Sequence, residues 1–95
     1  METTMPDQDD NERASRLRRL SYRAWHRGTL EMDILLGRFA DSHLGRFDDS
    51  QLHRFELLLN QPDPEIFAWY CGRRPVPDHQ ASDVTDLFLN FKLPA

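Results

Sequence analysis

With a single cysteine, Cys71, in 95 residues, the chain has no intramolecular disulfide framework and no zinc site built on several thiolates. No apolar run approaches the length of a membrane span. No stretch alternates long enough to make a useful strand. The nearest, RPVPDHQ, carries two prolines that deny it regular pairing. A net charge of -4 gives no global reason to bind nucleic acid or an anionic membrane. The four histidines, His26, His43, His53 and His79, are scattered, none with another His or Cys at ligand spacing, so no metal site is expected. Ser21 and Ser82 sit in no motif that would activate a hydroxyl, and no catalytic residue is expected. Cys71 lies among aromatics near a helix end, where a small buried residue is the ordinary reading.

The charges that are present come in blocks. METTMPDQDDNE holds five acids and no base, and RASRLRRLSYRAWHR then holds six arginines and no acid. Low apolarity and like charge predict a disordered acidic tail over residues 1–12, followed by one domain over 13–95. The tail has neither the apolar segment of a secretory signal nor the arginines of a mitochondrial presequence.

Apolar spacing predicts helices throughout that domain. The first runs from about Asn11 to Arg27, with Leu17, Leu20 and Ala24 on one face and Arg16, Arg19 and Arg23 beside it. Gly28 is placed to end it. The second runs from about Leu30 to Leu44, with Thr29 as N-cap, Glu31 and Asp33 in the first turn, and Gly45 as the stop. The third opens on a capping box, Asp48 with Gln51, and a hydrophobic staple, Phe47 with Leu52. In QPDPEIFAWYCG, Asp63 reads as a cap with Pro64 at the first helical position, and the helix ends near Gly72. A last helix starts between Asp78 and Ser82. Five short helices with tight connections imply an all-α fold, a small five-helix bundle, monomeric when free. Its expected core is Leu35, Leu36, Phe39, Phe55, Leu58, Leu59, Phe67, Trp69, Leu87 and Phe88.

Two features could carry function. The arginine face of the first helix would suit RNA, DNA or an acidic partner, as in a nucleic-acid-binding or antitoxin-type regulatory module, but no RNA-binding motif accompanies it. A solvated face balanced by acids elsewhere, or a protein partner, is the simpler account. The second feature is Arg27-Gly28-Thr29-Leu30-Glu31, at the break between two helices. Helix ending and capping explain the glycine, the threonine and the glutamate; they leave Arg27 unremarkable.

The wider sequence adds to this. LSYRAWHRGTLEMDILLGRFADSHL, followed by FELLLNQPDPEIFAWYCGRRPVP, resembles the SdhE family of succinate dehydrogenase flavinylation and assembly factors. The ordered set carries the resemblance: Arg-Gly-x-x-Glu between helices, an apolar helix with LLGRFAD, and PDPEIFAW before a Gly-Arg-x-Pro loop. It implies a five-helix fold that is not an enzyme. It implies binding to the flavoprotein subunit of succinate dehydrogenase, and of fumarate reductase, and promotion of covalent FAD attachment there. The FAD then belongs to the partner, and no cofactor is held stably by this chain. The motif falls on Arg27, Gly28 and Glu31, with Thr29 and Asp33 beside them as partner-binding residues. Leu30 stands where many relatives carry a base. The resemblance implies that Arg27 and Glu31 stand near each other at a corner. It also implies a bacterial cytoplasmic location, which a lone cysteine fits.

Overall fold

The computed structural model describes residues 4–93. Five α-helices follow in chain order: α1 Thr4–Trp25, α2 Leu30–His43, α3 Asp49–Leu59, α4 Asp63–Tyr70 and α5 Asp83–Leu89. Single 3₁₀ turns stand at Leu44–Arg46 and Asp78–Gln80, and no strand occurs among the described residues. The all-α architecture is as expected.

The boundaries differ from the sequence reading in instructive places. The backbone is helical from Thr4, where composition led to an expectation of no regular structure through Glu12; residues 1–3 lie outside the described residues. α1 stops at Trp25 rather than Arg27, because the amides of residues 27 and 28 leave the helix for a carboxylate on α2. α2 does not stop on Gly45; it tightens into the 3₁₀ turn. The capping box of α3 is formed in both directions, and Phe47 and Leu52 of its staple are both buried. Gly72 closes α4 with φ 76° in a Schellman turn: the Arg73 amide donates to the Ala68 carbonyl and the Gly72 amide to that of Trp69. α5 starts from Ser82, whose hydroxyl accepts from the Thr85 amide.

One core joins all five helices, from Leu20 and Ala24 of α1 to Val84 and Phe88 of α5. Phe39 is at its centre, fully buried, with the rings of Phe47, Phe55, Phe88 and Phe91 at 5.5–6.3 Å. Two expected core residues fall elsewhere: Leu87 is 39% exposed and Phe67 is half-buried. In a helix of seven residues several stripes fit equally well, and the one that faces inward carries Val84, Thr85 and Phe88. Cys71 is exposed, not buried, because it sits at the C-cap where the chain turns away from α4.

The α1 arginines tie the helices together. Arg13 donates to the Phe47 carbonyl at 2.8 Å, Arg13 and Arg16 each lie 4.0 Å from Asp49, and Arg23 reaches Asn60 and Glu56 of the α3 end. α3 and α5 are linked by Arg54 and Gln51 on Asp83, and the Arg54 hydrogen bond chiefly holds the Asp83 carboxyl below the ordinary carboxylate range.

Between α1 and α2 the Trp25 ring lies on the backbone of Gly37. A Cβ at Gly37 would overlap the carbons of that ring, and the indole N–H donates to Asp41 at 3.2 Å. Alanine at position 37 would gain about 1 kcal/mol of helix propensity. Overpacking against a ring held in place costs roughly 1–3 kcal/mol or more, so the loss prevails. Gly37→Ala is expected to melt below wild type by up to about 15 °C, at roughly 4–8 °C per kcal/mol for a domain of this size. A melting curve at or above the wild-type midpoint would show that the ring gives way freely.

Candidate functional site

The corner between α1 and α2 is residues 26–29. Thr29 is the N-cap of α2, in extended conformation, its hydroxyl accepting from the Met32 amide at 3.4 Å. Gly28 has φ +116°, a conformation L side chains rarely adopt. What holds it there is Asp33: one carboxylate oxygen accepts from the amides of both Arg27 and Gly28, the latter at 3.2 Å. Asp33 was expected to favour the α2 dipole and to meet a partner; its carboxylate is instead spent inside the corner.

Arg27 is likewise turned inward. Its guanidinium is forked over the turn between α3 and α4: Nε donates to Asp63 at 2.8 Å, Nη1 to the Leu59 carbonyl, and Nη2 to the Gln61 carbonyl at 2.7 Å. The Arg27 side chain is 11% exposed and that of Asp63 19%. The placement is physically favourable, since a cation at the C-terminal end of α3 meets carbonyls left without helical partners. Arg27, which the resemblance implied would stand beside Glu31 as a partner-binding residue, is therefore paired inward with Asp63. For the same reason Asp63 is not the cap of α4. Pro62 takes that position without a side-chain bond, and Pro64 stands second in the helix.

Gly28, Thr29, Leu30 and Glu31 face out. Glu31 is exposed and enters no hydrogen bond or ion pair among the described residues. Leu30 is 72% exposed, and no atom lies within 4 Å of where a Gly28 Cβ would stand. On the last turn of α1, Tyr22 is 64% exposed and stacks on His26 with ring centroids 3.9 Å apart. His26 Nδ1 is 2.7 Å from the Tyr22 carbonyl, so that nitrogen carries the proton and donates. The corner thus splits its motif: Arg27 and Asp33 build it, and Gly28 to Glu31 are presented. Sequence reasoning read Asp63 only as a helix cap and passed over Gly37; the one available signal for the pairing was an acid held between two prolines with an arginine at a helix break to receive.

Among the described residues no three His, Cys, Asp or Glu side chains gather as a metal site, and no described helix is long and apolar enough to cross a membrane.

A family model described as flavinator of succinate dehydrogenase matches residues 18–92. The FAD assembly factor SdhE of Acetobacter pasteurianus is 42% identical over 69 residues, covering 73% of this chain and 63% of its own length. The mitochondrial succinate dehydrogenase assembly factor 2 of Mycosarcoma maydis is 41% identical over 73 residues, covering 77% of this chain and 31% of its own. That of Dictyostelium discoideum is 41% identical over 70 residues, covering 74% and 50%. The chain therefore spans less than two thirds of the length of each of these relatives. No solved structure gives a significant match.

Proposed function

Because this chain belongs to the family of flavinators of succinate dehydrogenase, we propose that it is an assembly factor that binds the flavoprotein subunit of succinate dehydrogenase, and of fumarate reductase, and promotes covalent attachment of FAD there. The observation that carries the reading is the outward face of the corner: a glycine with open space around it, followed by an unpaired, exposed glutamate, both held on a rigid base. Such a surface lets another backbone come close at Gly28 and offers Glu31 as a hydrogen-bond acceptor. The FAD and the histidine that receives it belong to the partner. This chain contributes the conformation in which they meet, which is assistance by positioning and population shift rather than turnover of its own. It acts as a monomer in the bacterial cytoplasm.

The nucleic-acid reading loses ground on the same structure, since Arg13, Arg16, Arg23 and Arg27 are all engaged with α3 or its flanking turns.

The test is flavin fluorescence of the dehydrogenase subunit in a denaturing gel, with and without this protein. Glu31→Ala is expected to reduce the promoted labelling by on the order of tenfold or more, as loss of one member of a buried charged interface contact costs roughly 2–5 kcal/mol. Its melting point should stay near wild type, because losing a helix-start acid costs only about 0.3–1 kcal/mol. Labelling at the wild-type rate with Glu31→Ala would remove the glutamate from the interface.

A further inference from the structure

We infer that Asp63 is a positioning residue for the partner-binding corner, acting through Arg27 from the start of α4. Three observations lead there. First, α4 does not need the Asp63 carboxylate: its opening turn is closed by backbone bonds from Glu65 and Ile66 to the Pro62 carbonyl, with Pro62 as the N-cap. Second, the carboxylate is four-fifths buried and its hydrogen bond goes to Arg27 Nε at 2.8 Å. Third, Arg27 is fixed at both ends. Its guanidinium is on the α3–α4 turn, and its amide is on Asp33, which also holds the Gly28 amide. A charge on α4 thereby sets where the Gly28 turn sits and where Glu31 points. A guanidinium retained only by two neutral carbonyls would be free to swing, since the charged acceptor supplies the strongest and most directional of its bonds.

The inference rests on the corner being the surface that meets the flavoprotein subunit, and its test separates the two. The full chain is used, at a temperature where circular dichroism shows every variant folded. Titrating each variant into apo flavoprotein subunit with FAD, Asp63→Ala is expected to raise the concentration for half-maximal flavinylation by about tenfold, with the rate at saturation retained. Asp63→Asn, which keeps an acceptor oxygen for Arg27 but loses the charge, should fall between wild type and Asp63→Ala. Arg27→Ala combined with Asp63→Ala should be no worse than Arg27→Ala alone, because the two act as one unit. At this temperature a role confined to stability would leave every variant folded and binding as wild type does, so the half-maximal concentration would not move; that result overturns the inference, as does an additive double variant. Amide hydrogen exchange of Gly28 supplies a readout without the partner. It should quicken in Asp63→Ala while the central amides of α2 remain protected, and unchanged exchange at Gly28 overturns the inference too. If wild-type protein fails to stimulate flavinylation, the assembly-factor reading falls, and the exchange result still decides on Asp63.

Discussion

Arg27→Ala is expected to lose about 2–4 kcal/mol of stability, the combined cost of removing a charged donor from three acceptors and leaving Asp63 largely buried without its cation. At roughly 4–8 °C per kcal/mol, that lowers the melting midpoint by about 10–25 °C. The resemblance placed Arg27 with Glu31 among the partner-binding residues, where its loss would weaken the partner contact and spare the fold. The side-chain placement decides between them. An arginine 11% exposed, with every branch of its fork donating to the α3–α4 turn, is structural in the first instance. Arg27→Lys should recover less than half of the loss, because an ammonium supplies the charge but not the planar fork that reaches Asp63 and two carbonyls together. Thermal melts by circular dichroism check both. An Arg27→Ala protein melting within a few degrees of wild type would mean that water replaces the fork at no cost.

Gly28→Arg is expected to abolish promotion of flavinylation while leaving a folded helical protein. Two effects are superposed at this position. Any L side chain must adopt φ near +116°, a strain worth roughly 1–3 kcal/mol. A long side chain must also occupy the space in front of the corner, and since nothing of this chain lies within 4 Å of the Cβ, its bulk projects outward where a partner would stand. Gly28→Ala separates the two. It carries the same backbone strain, so it should melt with Gly28→Arg, yet it adds only a methyl group and should keep most of its activity when assayed cold enough to be folded. Equal inactivity of the alanine and arginine variants, both folded, would show that the partner reads the backbone conformation and that clearance is not what matters.

Features fixed by neighbouring residues were legible before any coordinates. The capping box of Asp48 and Gln51, the turn at Gly72 and the break at Gly28 all depend on a handful of consecutive residues, and all are present. Apolar stripes on helices of eleven residues or more identified the core correctly at Leu35, Leu36, Phe39, Phe55, Leu58 and Leu59. The same method misplaced Leu87, because seven residues span barely two turns and cannot define a face. What stayed hidden depends on long-range partners. Gly37 in a helical stripe reads as a weak helix former until the Trp25 ring is seen lying on it. Arg27 reads as a surface charge until Asp63, 36 residues on, is found to receive it. Resemblance to a family located the motif but could not say which of its charges points in and which points out.

The fork of Arg27 has a consequence in time as well as in shape. α1 and α2 are joined by four residues, so their packing can form as soon as both helices do. The fork instead joins residues 32, 34 and 36 apart, and needs α3 already docked to present its carbonyls. It is expected to form on the late side of the folding barrier. Weakening it speeds unfolding and barely alters the rate of refolding. A refolding chain is expected to regain its helical signal before the fork closes, and among native fluctuations the fork is expected to open ahead of the Phe39 core. The Arg27 fork beneath the outward face of the corner is therefore expected to be among the last contacts to close and the first to open.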